Sequence, residues 1–313
     1  MLQSASKAFF HLLAGNKTLK ALASRYGMRS GSGFARRFIA GETVAEATEA
    51  ARRLQVAGLP VTLDYLGEAV ATVAEADAAT KAYLGVLGDI GESGIERNIS
   101  LKLTQLGLTI DRATSVDNLR RILDAAAAKE FFVRIDMEDS SYTAVTLDIF
   151  ETMWQLGYQN AGVVLQSCLR RSEADAARMN ALGARVRLVK GAYKEPRDVA
   201  YQRKSEVDES FVRIMKLLLG QGHYPAIATH DPAMLDATRA YARECGVTPA
   251  AYEFQMLYGI RRDLQTALAR EGFRVRIYVP FGREWFPYFM RRLGERPANV
   301  EFVIRGLLSE RKG

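Results

Sequence analysis

Sulfur chemistry and metal chemistry have little material in this sequence. Of 313 residues only two are cysteine, Cys168 and Cys245, too few to staple so long a chain, and that fits a reducing compartment. The three histidines, His11, His223 and His230, stand at no ligand spacing, so no zinc site is expected. No apolar run approaches the roughly 20 residues that would cross a bilayer. Acidic residues are missing altogether from residues 1–41, which carry Lys7, Lys17, Lys20, Arg25, Arg29, Arg36 and Arg37. Setting those seven aside leaves 36 of the 43 Lys and Arg, equal to the 36 Asp and Glu. The net charge of +7 therefore belongs to the leader. A neutral body offers no extended basic face, which excludes broad nucleic-acid binding.

What is present is ordinary globular material, 48% hydrophobic and 25% charged. The leader alternates apolar clusters (Phe9, Phe10, Leu12, Leu13; Leu19, Leu22) with lysines. It reads as a helical arm over 1–41, hinged at Ser30–Gly33. Peripheral contact with an anionic membrane surface or an organelle-targeting leader fits the same composition. The body, 42–313, alternates short β-branched runs with helix-length amphipathic stretches. The strand-like runs are Val61–Leu66, Ile99–Leu103, Phe131–Met137, Gly162–Gln166, Val186–Val189, Pro225–Thr229, Tyr252–Met256 and Val275–Val279. Between them Ser115–Glu130 and Glu195–Leu219 read as helices, with Ser115 and Ser172 as caps. Eight strands separated by helices imply parallel pairing and an α/β (βα)8 TIM barrel. An open dinucleotide-binding sheet is the competitor, but Gly67-Glu68-Ala69 after the first strand is no GxGxxG.

In such a barrel, chemistry collects where strands end. Those ends here carry Lys102, Asp136, Gln166, Lys190-Gly191, Thr229-His230-Asp231 and Gln255, and the last strand contains Tyr278. Singly, each could be a solvated loop residue; together they predict one polar cavity. After the eighth strand, Tyr288 meets Arg291 and Arg292 at i+3 and i+4, with Glu295 beyond. That is either a clamp for a small carboxylate, which arginine grips bidentately, or a surface helix with an Arg–Glu pair.

The segments SLKLTQLG, VRIDMED, GVVLQS, RVRLVKGAY, ATHD, YEFQMLYG, RIYVPFG and YFMRRLGE, in this order from about Val61 to Val303, resemble proline dehydrogenases. RLVKGAY and YxxRRxxE together are the specific part, and the length resembles monofunctional bacterial members. The resemblance implies a distorted (βα)8 barrel holding FAD without a covalent bond. It implies oxidation of L-proline to Δ1-pyrroline-5-carboxylate, with electrons passed on to a membrane quinone, in a cytoplasmic protein that can rest on the inner face of the membrane. By motif, Arg291 and Arg292 would hold the proline carboxylate beside Lys102, and Tyr278 and Tyr288 would pack on the ring. Asp136 and Arg187 would stand closest to catalysis. Met137, Gln166, Lys190, Gly191, Ala192, Thr229 and His230 would line the FAD. Phe281 and Trp285 fall where the family varies and receive no role.

The residues speak for such chemistry on their own account. Oxidation beside a nitrogen needs its lone pair, so the amine must lose a proton, to a carboxylate or to a water held by Asp136. Arg187 and Lys190 at one strand end suit a cofactor that gains negative charge. Rival readings are a Schiff-base aldolase or lyase using Lys190 or Lys102, a flavin barrel reducing a folate-type imine, and a barrel serving only as a binding platform.

Overall fold

A computed structural model of the chain describes residue 28, residues 34–67 and residues 69–295, with side chains to residue 292. Eight parallel strands close into a barrel in sequence order. They are β1 (Val61–Tyr65), β2 (Asn98–Leu101), β3 (Phe132–Ile135), β4 (Ala161–Gln166), β5 (Arg185–Val189), β6 (Ala226–Ala228), β7 (Glu253–Leu257) and β8 (Val275–Phe281). The closing pair runs from Val61 opposite Ile277 to Tyr65 opposite Phe281. Each run singled out in the sequence is one of these strands, displaced at its ends by a few residues.

Helix α1 (Val44–Val56) precedes the barrel. Then α2 (Val73–Glu92), α3 (Arg112–Ala128), α4 (Ser140–Gln155), α5 (Ser172–Leu182), α6 (Lys204–Gln221), α7 (Pro232–Glu244) and α8 (Arg262–Arg270) join successive strands, and α9 (Trp285–Glu295) follows β8. Threonine capping boxes start α1 at Thr43 with Glu46 and α2 at Thr72 with Glu75.

Three local expectations are corrected. Helix α3 begins earlier, capped by Asp111, whose side chain accepts from the Thr114 N–H; Ser115 is buried within it. Ser172 is the first residue of α5, and its hydroxyl donates to the Gln166 carbonyl at 2.6 Å, tying the helix start to the end of β4. Helix α6 starts at Lys204, nine residues later than expected. The chain from 190 to 203 is a non-helical loop, held by an antiparallel bridge between Leu169 and Ala200. Pro196 limits helix formation there, because the residue before a proline is pushed out of the α region.

The barrel interior is unusual for its architecture. Alternate strand residues face the axis, and here Thr62, Asp64, Ser100, Arg134, Arg187, Glu253, Gln255 and Arg276 are all buried. The other face supplies Leu63, Ile99, Val133, Val163, Leu188, Phe254 and Ile277, which pack in the main apolar core. The hydrophobic core is therefore the shell between strands and helices, and the axis is polar. A second apolar cluster covers one corner of the barrel. It joins Ala35, Phe38 and Ile39 to Trp285, Phe286 and Phe289 of α9, with Phe38 and Phe289 6.0 Å apart between ring centres. Ala35, Phe38 and Ile39 of the basic leader thus belong to a packed core; residues 1–27 and 29–33, with the hinge at Ser30–Gly33, lie outside the described residues.

Candidate active site

A cavity of about 440 Å³ opens where the strands end, within the size range of small-molecule sites. Its lining includes Lys102, Asp136, Met137, Gln166, Arg187, Lys190, Gly191, Ala192, Thr229, His230, Tyr278, Tyr288, Arg291 and Arg292. These are all of the residues to which the resemblance gave a role, and Asp231 and Gln255 of the polar strand ends line the same space.

The floor is a network centred on Asp136, just past β3. Arg187 Nη1 donates to its Oδ1 at 2.7 Å, and the Tyr278 hydroxyl donates to its Oδ2 at 2.8 Å. Arg187 also donates to Ser100 Oγ at 3.1 Å and lies over the Tyr278 ring, 5.4 Å from its centre. Lys102 Nζ sits 3.3 Å from Asp64 and 3.7 Å from Asp136, one ammonium between two carboxylates. Burial pushes the Asp64 carboxyl up; Lys102 pulls it down, and Asp136 pushes it up again. For Lys102, burial works against the charge, but Asp64 and Asp136 outweigh it and raise the ammonium well above its ordinary value. Burial, then the Asp136 charge, holds the Tyr278 hydroxyl protonated far beyond its usual range.

The wall is α9. Its apolar residues Trp285, Phe286, Phe289 and Met290 turn into the second core, and the Trp285 indole N–H donates to Glu42 at 3.0 Å. Helical spacing then leaves Tyr288, Arg291 and Arg292 along the cavity. Arg292 is buried over the Tyr288 ring, 5.1 Å from its centre. The reading of this stretch as a plain surface helix is set aside: both arginines line the same space as Lys102 and Asp136. The Glu295 side chain lies outside the described residues.

On the opposite side Gln166 donates to the Glu138 carbonyl at 2.8 Å, and His230 Nε2 accepts the Leu257 N–H at 2.9 Å, which places the proton of a neutral ring on Nδ1. Gly191 has φ +106°, and a Cβ there would overlap Cys168 Sγ. Two buried atoms of cavity residues, the donor Arg187 Nε and the acceptor Gln255 Oε1, have no hydrogen-bond partner among the described residues. Buried polar atoms are rarely left so, and this is what a site for a polar ligand would show.

Several participants escaped the sequence reading. Asp64 is fully buried against Lys102, and its signal was a charge inside the otherwise apolar run VTLDYL. Tyr193 lines the cavity directly after the KGA segment; burial raises its hydroxyl, and the Lys102 and Arg291 charges oppose that. Asp208 engages Lys190 together with Asp231; Asp231 was read only as part of a polar strand end, and no local pattern announced Asp208 or the pairing.

A family model described as proline dehydrogenase matches residues 47–305. The chain belongs to the proline dehydrogenase family. It is similar to proline dehydrogenase 1 of Bacillus subtilis subsp. natto, 42% identical over 301 residues, 96% of this chain and 98% of that one. Similarity to the proline dehydrogenase of Deinococcus radiodurans is 41% over 280 residues, 88% of this chain and 90% of the relative. The bifunctional protein PutA of Escherichia coli is 30% identical over 312 residues, but those cover 24% of its length. Among solved structures, proline utilization A of Bdellovibrio bacteriovorus inactivated by N-propargylglycine superposes with a TM-score of 0.77 at 28% identity. The match covers 83% of this chain and 32% of that one. The similarity thus spans whole single-activity members of the family and about a third or less of the long fusions.

Proposed function

We propose that this cavity oxidises L-proline to Δ1-pyrroline-5-carboxylate with FAD bound along the strand ends. As a member of its family the chain is an oxidoreductase acting on proline. The observation that carries the finer reading is the meeting of the two α9 arginines with Lys102, Asp136 and Arg187 in one cavity. Arg291 and Arg292 hold the substrate carboxylate in charge-assisted hydrogen bonds, with Lys102 beside them. Tyr278 and Tyr288 pack on the five-membered ring, which favours a small amino acid over a folate-sized ligand. Bound here, FAD supplies the two-electron acceptor that the reaction needs. Met137, Gln166, Lys190, Gly191, Ala192, Thr229 and His230 line its place, and Arg187 Nε and Gln255 Oε1 are polar atoms it can engage.

Asp136 acts as an organiser in this reading. Both its oxygens already accept strong hydrogen bonds, one from Arg187 and one from Tyr278, so its work is to hold those two donors against the substrate. The aldolase reading fares badly. A Schiff-base lysine needs its ammonium destabilised, and Asp64 with Asp136 do the reverse to Lys102. A membrane quinone as final acceptor, and peripheral contact with lipid through the basic leader, belong to the same proposal; none of the described helices is long and apolar enough to cross a membrane.

The test is the visible spectrum of the purified protein before and after anaerobic L-proline. A flavin band that bleaches is the expected result. A colourless protein that takes up no added FAD, or a flavin band indifferent to proline, contradicts the reading.

A further inference from the structure

Four charges alternate in sign at one corner of the cavity. Lys190 Nζ donates to Asp208 Oδ1 at 2.5 Å and to Asp231 Oδ2 at 2.6 Å. Lys204 Nζ donates to the other oxygen of Asp208 and lies 3.3 Å from Asp231 Oδ2. The two cations are not equivalent. The Lys190 side chain is 24% exposed and lines the cavity, whereas that of Lys204 is 74% exposed and stands outside it. Asp231 is fixed from a second direction as the N-cap of α7, accepting the Ala233 N–H at 3.1 Å. Asp208, in the second turn of α6, touches only the two lysines in this ring and does not line the cavity.

A lone ammonium at this place would present a full positive charge to whatever the cavity holds, and its flexible stem could swing toward bulk water. Two carboxylates remove both freedoms: they fix the direction of Nζ and cancel most of its field. We infer that Asp208 is a positioning residue for the flavin site, setting through Lys190 how much positive charge the cofactor feels, with Lys204 as the opposing outer member. The inference rests on the flavin reading given above.

The signs follow from electrostatics. Reduction adds negative charge to a flavin, so positive surroundings favour the reduced form and raise the midpoint potential. Asp208→Asn removes an anion and unmasks Lys190; the potential of the bound flavin should rise. Lys204→Met removes a cation and leaves both carboxylates on Lys190; the potential should fall, by less, because Lys204 is largely solvated. Asp208→Glu keeps the charge and should lie near the parent. A merely structural role for this corner would instead weaken flavin binding in both variants with no opposition of sign.

The experiment is a spectrophotometric reductive titration of each flavin-loaded protein against a reference dye, with the FAD dissociation constant measured alongside. Opposite shifts in Asp208→Asn and Lys204→Met, with Asp208→Glu close to the parent, support the inference. Shifts in one direction, or none, overturn it while leaving the flavin reading intact. A parent protein that takes up no FAD overturns that reading and this inference with it. Should Asp208→Asn fold poorly, Lys204→Met carries the test by itself: a lowered potential supports the assignment, and an unchanged or raised one overturns it.

Discussion

Asp136 receives Arg187 on one oxygen and Tyr278 on the other, with Lys102 close by, so removing it disturbs three neighbours that line the cavity. Asp136→Ala should accordingly lower turnover by a larger factor than it raises the Michaelis constant, which steady-state kinetics with a soluble acceptor would reveal. A rise in the Michaelis constant alone would make it a simple substrate contact. Arg291 and Arg292 present the opposite case. If they hold the proline carboxylate as proposed, truncating either to alanine should remove a charge-assisted hydrogen bond worth about 1.5–3 kcal/mol, or roughly 10–150-fold in proline affinity. The flavin should stay bound, since neither is assigned to it. Equilibrium titration with proline and the flavin content of the variant separate the two outcomes. Arg187 and Asp136 each read clearly in the sequence as charges at strand ends, whereas their pairing, and the buried Asp64 behind Lys102, did not: a partner 38 or 51 residues away leaves no local pattern.

Among the elements, the turn leaving β5 is the most constrained. Gly191 has a backbone that L side chains rarely adopt, and a Cβ there would press on Cys168 Sγ. Gly191→Ala should therefore cost about 1–3 kcal/mol in a denaturant titration and reduce flavin retention. Adding Cys168→Ala should recover only part of the loss, because it relieves the contact and leaves the backbone strain; full recovery would mean that φ costs nothing here. The strands were legible from their β-branched runs, and α9 from its i, i+3, i+4 spacing. The start of α6 was misjudged because composition does not record that residues 190–203 spend their hydrogen bonds on neighbours. Glu195 caps the first residue of α4 through the Ser140 N–H at 2.9 Å, and Tyr201 bonds back to the Cys168 carbonyl at 2.8 Å.

At the scale of the whole molecule, the polar axis has to be balanced in charge. Arg134, Arg187 and Arg276 are buried within the barrel, and below the cavity the buried Glu253 meets Arg276 at 2.8 and 3.0 Å, with the more exposed Glu96 at 2.9 Å. Glu253→Gln leaves the buried Arg276 with only the more exposed Glu96, 2.9 Å from its Nη2, and should cost stability at neutral pH toward the low end of the roughly 3–5 kcal/mol of a broken buried pair. Burial raises the Glu253 carboxyl, but Arg276 more than offsets this and holds it below its ordinary value. Its contribution is therefore complete above the unfolded value of about 4.3 and drains away as pH falls through the lower folded value. Urea titrations of parent and variant should differ most near neutrality and converge on the acid side of pH 4. A gap that is the same at both pH values would assign the cost to packing rather than charge.

The eight β-branched runs, the absence of a dinucleotide glycine turn and the polar strand ends were enough to specify barrel and rim, because periodicity and strand-end position are local properties of a chain. The doublet of arginines after the last strand stayed open between a clamp and a surface helix. Tertiary structure alone decided that Lys102 lies between two carboxylates, that Lys190 is ringed by Asp208 and Asp231, and that the barrel is polar along its axis. Those are Coulombic and hydrogen-bonded relations between residues distant in sequence. Their strength depends on separation in space and on the water excluded around them, and both exist only once the strands have closed.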